Sequence, residues 1–248
     1  MCQKCIDNRL QPSRRHLLGA GLAMAGLAAT VPLFGSSAFA QAAAPEAASA
    51  PPNAISPDAA LSRIMKGNAR YAANTRINKD YSAGRMERAR AQYPIAAILS
   101  CADSRVAPEL AFDQGPGRLF VVRVAGNFVN DDGLASLEYG VKVLGVPLIM
   151  VLGHSGCGAV AATIKVIQDG TTLPGHLPEL VGAMKPGIEA AIARKPKDLL
   201  VEATAENVRY NTRRLAEAKP IIGEMVGAGK VKVVGAVYDI ATGKVNLL

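Results

Sequence analysis

Cys101, Asp103 and Arg105 stand two residues apart in "CADSR", just past an apolar run. His154 and Cys157 follow in "GHSGCGA", again just past an apolar run. Two thiolates and one imidazole form a Cys₂His set, which suits zinc. Three protein ligands leave a fourth position open, the pattern of a catalytic rather than a closed structural site. His176 offers a fourth ligand for a closed Cys₂His₂ site, though its ordinary reading is an exposed loop residue. Each motif has a bland reading too. A single Cys at a strand end is usually a small apolar residue, and two cysteines in an exported chain pair by default as a disulfide. What favours metal is the joint placement of the motifs at two strand ends.

The elements that place them alternate. Tyr93–Cys101 and Val146–His154 are short unbroken apolar runs and read as strands buried on both faces. Arg118–Asn127 reads as another strand. Helix spacing covers Gly133–Gly145 and the segment from Cys157 to Gly170. A loop occupies Thr171–Pro178, and a helix broken at Pro186-Gly187 runs from Pro178 to Arg194. One long helix is predicted over Asp198–Val226, with Glu206, Arg209, Arg213, Arg214 and Glu217 on a solvated face. The C-terminal "KVKVVGAVYDIATGKVNLL" reads as a strand, a turn at Ala241–Gly243 and a closing strand. Upstream, Pro57-Asp58 opens a helix carrying Leu61, Ile64, Met65, Ala69 and Ala72, and a second helix covers Gly84–Gln92. The expected fold is α/β: a mostly parallel sheet of four strands plus a C-terminal edge strand, with helices on both faces. In such sheets functional groups gather at the carboxyl ends of the strands, where the strand order reverses. Cys101 and His154 occupy two such ends.

The chain has 248 residues, half of them apolar, no Trp and a net charge of +8. That is enough chain for one sizeable core. Residues 1–40 have the form of an export signal. Lys4, Arg9, Arg14 and Arg15 precede an apolar Leu17–Phe34 stretch that ends in Ala38-Phe39-Ala40, an A-x-A cleavage site. The paired arginines of "SRRHLLGAG" suggest a twin-arginine signal, which exports folded proteins to the periplasm. Gly and Pro dilute the apolar stretch, which argues against a lasting membrane span. Cleavage after Ala40 removes Lys4, Arg9, Arg14, Arg15 and Asp7, leaving 24 basic and 19 acidic residues, a charge of +5. The surplus is scattered and gives no ground for a nucleic-acid partner. Cys2 and Cys5 leave with the signal. Residues 41–57 are rich in Ala, Pro and Ser and read as a flexible linker to a catalytic domain over 58–248.

"CADSRV" followed by "GHSGCGA" resembles the β-class carbonic anhydrases. "LFVVRVAGN" at Leu119–Asn127 and "SLEYGVKVLGVPLIMVLGHSGCGA" at Ser136–Ala159 extend the resemblance, which runs from about Asp58 to the C-terminus. One departure stands out: the family often reads Arg-Asn where this chain has Arg123-Val124. The resemblance implies that Cys101, His154 and Cys157 bind Zn²⁺ and that Asp103 and Arg105 form a catalytic dyad orienting zinc-bound hydroxide for attack on CO₂. It further implies that Gln92, Phe120, Tyr139 and Gly158 contact substrate, Gln92 and some wall residues being supplied by a partner subunit. It also implies a homodimer or higher assembly, with the N-terminal helices packing on the partner. The resemblance implies too that at low pH Asp103 can become a fourth zinc ligand in an inactive state, as in some members of the family. Hydrolysis of carbon disulfide or carbonyl sulfide on the same scaffold, a non-catalytic zinc-stabilised protein and a redox protein joining Cys101 to Cys157 remain open alternatives.

Overall fold

A computed structural model of the chain describes residues 50–248. The expected export signal with Arg14 and Arg15, the cysteines Cys2 and Cys5, and residues 41–49 lie outside the described residues. The element order is α1 (Pro57–Ala72), α2 (Arg85–Arg88), β1 (Ala96–Ser100), α3 (Pro108–Ala111), β2 (Leu119–Arg123), α4 (Asp131–Lys142) and β3 (Leu148–His154). Then come α5 (Gly158–Asp169), α6 (Leu177–Ala193), α7 (Leu199–Glu217), α8 (Ile221–Gly227), β4 (Lys232–Tyr238) and β5 (Val245–Leu247).

The five strands form one sheet in the order β2-β1-β3-β4-β5. The first four are parallel and β5 closes antiparallel on β4, as expected from the sequence. Strands β1 and β3 are buried along their whole length, which explains their unbroken apolar runs. Alternate residues feed opposite faces. Ile98, Leu148, Met150, Leu152 and Ala236 pack with Ala60 and Ile64 of α1. Ala97, Leu99, Ile149 and Val151 pack with residues of α4, α7 and α8. A third cluster joins Cys101, Cys157 and Phe128 to Met184 and Ile188 of α6. The chain adds β2 on one side of β1 and β3 on the other. The strand order therefore reverses between β1 and β3, beside Cys101 and His154. Among the described residues no helix is long and apolar enough to cross a membrane.

Several local expectations need correction. The Gly84–Gln92 helix shrinks to the four residues of α2, because it buries nothing and so gains no packing to propagate it. The Asp198–Val226 helix is two helices. Ala218 turns extended ahead of Pro220, which cannot continue a helix, and α8 starts afresh. Conversely, α6 runs unbroken through Pro186. Its buried face of Val181, Met184, Ile188 and Ala191 offsets the lost hydrogen bond, and Gly187 lets the α7 backbone approach. The linker ends earlier than expected. Asn53 is buried, and its Nδ2 donates to Pro94 O at 3.1 Å and Leu144 O at 2.7 Å. Nor is the charged face of α7 wholly solvated: Glu206 is 2% exposed. Its carboxylate accepts from Arg194 at 2.9 Å and pairs with Arg209 and Arg213 at 3.4 Å.

Candidate metal centre

Cys101 follows the last residue of β1, His154 is the last of β3, and Cys157 caps α5 three residues later. A tight turn through Gly156, at φ +65°, joins them. All three residues are buried, and their ligand atoms lie within 4.8 Å of one another. Both thiols are free. His154 Nδ1 sits 3.0 Å from Ser155 O. A carbonyl only accepts, so Nδ1 carries the proton and Nε2 presents a lone pair. That Nε2 is buried without a hydrogen-bond partner, an arrangement that costs free energy unless a cation takes the lone pair.

The thiols interact directly. Hydrogen bonding from Cys157 lowers the Cys101 pKa to about 4, with further help from His154 and the Gly126 N–H. The same contact, together with burial, raises the Cys157 pKa. Burial would lower the His154 pKa, but its contacts with Cys101 and the Ser155 carbonyl outweigh burial and raise it. Two sulfurs and an imidazole nitrogen packed this closely are the donors a borderline-soft divalent ion selects, both cysteines binding as thiolates. Zinc, at about 2.3 Å from sulfur and 2.0 Å from nitrogen, fits the set. The N-terminus of α5 adds positive potential at Cys157.

Asp103 lies beside this cluster, its Oδ2 3.8 Å from His154 Nε2. Arg105 grips it in two ways. Its Nε and guanidinium NH2 nitrogens donate to Oδ1 at 2.9 Å and Oδ2 at 2.7 Å, and its backbone N–H donates to Oδ1 at 2.9 Å. Those bonds hold the Asp103 carboxyl well below the usual carboxylate range. Gly158, the first residue of α5, is exposed, and the space where its Cβ would be is open.

Gln92, Phe120 and Tyr139 lie elsewhere in the chain. Gln92 precedes β1, so the whole strand separates it from Cys101, about 16 Å at the usual rise. It lines a hollow with Arg88, Tyr93 and Arg118. Phe120 pairs in register with Ala97, at the start of β1. Its ring lies 6.3 Å from that of Tyr139 on α4, which is 48% exposed. Among the described residues, exposed His176 lies 3.7 Å from Glu179 and takes no part in the cluster.

Two contacts were not legible in residue types. Arg123 Nε donates to Cys101 O at 3.0 Å and its NH2 to Asp103 O at 2.8 Å, pinning the "CAD" backbone. Gly126 N–H donates to Cys101 Sγ at 3.2 Å. Val124, at the position of the family departure, ties the strand ends through backbone bonds to Ser100 and Ala102. Its side chain packs with the apolar clusters around the site.

Residues 96–245 match the sequence profile of the carbonic anhydrases. The chain belongs to the carbonic anhydrase family. A carbonic anhydrase of Mycolicibacterium smegmatis is 38% identical over 198 residues, covering 77% of this chain and 93% of that protein. Carbonic anhydrase 2 of Mycobacterium tuberculosis is 38% identical over 192 residues, covering 77% and 92%. The solved structure of a Coccomyxa β-carbonic anhydrase in complex with acetazolamide superposes with a TM-score of 0.61 at 29% identity, covering 76% of this chain and 86% of that one. This carbonic anhydrase is of the β class, and Cys101, His154 and Cys157 form a group able to bind a metal ion.

Proposed function

We propose that this carbonic anhydrase catalyses the reversible hydration of CO₂ to bicarbonate and a proton. The observation that carries the reading is the buried Cys₂His group with a fixed carboxylate alongside it, 3.8 Å from the free imidazole nitrogen. When bound there, zinc supplies the Lewis acidity that makes water a usable nucleophile near neutral pH.

The chain's own residues supply orientation. Asp103 is held ionised, so it is an acceptor and a poor base. Its Oδ2 accepts one bond from Arg105 and keeps a lone pair for the attacking water, whose remaining lone pair then faces CO₂. The Gly158 N–H, at the open start of α5, can donate to an oxygen of the product anion. Val124 contributes apolar lining suited to an uncharged substrate. If Arg105 released it, Asp103, with Oδ2 3.8 Å from His154 Nε2, would be a further donor able to hold the metal in place of water.

Gln92, Phe120 and Tyr139 reach such a site only from a second copy of the chain. Support comes from β2, an edge strand with one side unpaired, and from Tyr139 on α4 and Val143 at its C-cap, 48% and 62% exposed. A homodimer formed there covers both. Export through the arginine pair belongs to the same reading, because cytoplasmic folding loads metal while the thiols are reduced. Arg14→Lys with Arg15→Lys then retains active protein in the cytoplasm.

The test is a stopped-flow assay across pH with CO₂, run beside hydrolysis assays with carbonyl sulfide and carbon disulfide. CO₂ turnover far above the other two is expected. Preference for either sulfur compound overturns the assignment in favour of a hydrolase on the same scaffold.

A further inference from the structure

Helix α7 lies far along the chain from the ligands, yet it grips the loop behind Cys101. Asn207 is fully buried, and its Nδ2 donates to Gly126 O at 2.8 Å. Asn211, one turn on and also fully buried, donates to Asn207 O at 2.8 Å and to its Oδ1 at 3.2 Å. That fixes the amide of Asn207 with its NH₂ facing Gly126. Asn211 Oδ1 in turn accepts from Val129 N–H at 2.9 Å, and Arg214 donates to Val129 O at 3.0 Å. Positions 207, 211 and 214 share one face of the helix. The gripped segment contains two consecutive left-handed residues, Gly126 at φ +84° and Asn127 at +44°. Gly126 directs its N–H at Cys101 Sγ, 3.2 Å away. Polar Asn side chains are poor mid-helix residues and costly to bury. Here each has found a backbone partner in the same loop.

We propose that Asn207, locked by Asn211, is a positioning residue that sets the Gly126 N–H···Sγ bond to Cys101 and so tunes the thiolate as a metal ligand. The inference rests on the reading of Cys101 as a ligand. Two thiolates push charge onto a metal ion and blunt its Lewis acidity. A backbone N–H bonded to one sulfur draws some of that charge back. The lever is backbone geometry: Asn207 pulls on the Gly126 carbonyl while the N–H of the same residue faces the sulfur.

The test loads the full chain, carrying Cys2→Ser and Cys5→Ser, with ¹¹³Cd. Scalar coupling between the metal and the Gly126 amide proton is then sought by NMR. Coupling is expected in the otherwise unaltered chain and lost in Asn207→Asp, where an oxygen opposes the Gly126 carbonyl. In the cobalt-loaded form the same variant moves the thiolate-to-cobalt absorption to lower energy. It also weakens metal binding by about 10–100-fold. Thr212→Val, which removes a local α7 bond to Val208 O, leaves coupling and absorption unchanged. Bound cadmium with no coupling in the unaltered chain overturns the proposal without any variant having to fold. So does coupling that survives Asn207→Asp. Failure to bind cadmium at all overturns the metal reading instead, and this inference with it.

Discussion

Gly126→Ala probes the packing behind the metal centre most sharply. Two costs can be worked out from the structure. The residue sits at φ +84°, a conformation that costs a side-chain-bearing residue about 1–2 kcal/mol. A methyl built there also collides with Met184 Sδ and comes within 3.1 Å of Met184 Cε and 3.3 Å of Ala159 Cβ. Met184 is fully buried, so the collision is an overpacking of about 1–3 kcal/mol. The expected destabilisation is therefore about 2–5 kcal/mol, a large share of the stability of an ordinary domain. Gly170→Ala is the control. Gly170 has φ +63° but nothing within 4 Å of its missing Cβ, so it incurs only the backbone cost, about 1–2 kcal/mol. Urea denaturation of both variants, of Met184→Ala and of Gly126→Ala/Met184→Ala completes the cycle. The double variant is expected to cost less than the sum of its singles by about 1 kcal/mol or more. Equal losses for Gly126→Ala and Gly170→Ala, or strict additivity in the cycle, refute the close approach of α6 to the loop.

Three further outcomes follow from the same contacts. Arg105→Met releases the Asp103 carboxylate from its side-chain clamp; CO₂ turnover should fall by about 100-fold while zinc content by atomic absorption stays unchanged. Glu206→Gln tests the buried carboxylate of α7. Burial opposes its charge, but Arg194 and Arg213 prevail and hold its pKa below the ordinary value. Its stabilisation is thus fully present above the ordinary Glu pKa and lost as pH falls through the depressed one. The variant should melt a few degrees lower at neutral pH, and the two Tm curves should converge in acid. In a chain carrying Cys2→Ser and Cys5→Ser, a thiol reagent should label neither Cys101 nor Cys157 in the holoprotein and both after chelation. Absence of free thiols after chelation would instead indicate a disulfide.

The group of Cys101, His154 and Cys157, able to bind a metal, was legible because its chemistry resides in residue types. Cys101 and His154 each terminate an apolar run, and runs of that length become the buried central strands β1 and β3. The parallel order and the antiparallel closing strand followed from the same patterning. What stayed hidden depends on long-range geometry. Glu206 looked like one more charge on a solvated face, since nothing local reveals that Arg194 from the end of α6 converges on it. The Gly126 N–H···Sγ bond was invisible because a backbone donor has no residue type. A faint signal existed in Asn207 and Asn211, two poor helix formers four residues apart within an otherwise helical pattern. Pro186 and Pro220 look alike in sequence, yet α6 runs through Pro186 on its buried face of Val181, Met184, Ile188 and Ala191, whereas Ala218 turns extended ahead of Pro220 and α7 ends. Gln92 could be matched to a motif but not placed, and one chain leaves it at the wrong end of β1.

The central claim is that one zinc ion held by Cys101, His154 and Cys157 drives CO₂ hydration. The most direct measurement is a reconstitution titration: the metal-free protein receives increasing zinc, and stopped-flow CO₂ hydration is recorded at each addition beside the bound metal. The account expects activity to rise linearly with bound zinc, to stop at one equivalent per chain, and to be absent throughout in Cys157→Ser. Protein that binds one equivalent of zinc and remains inactive at every pH would contradict it.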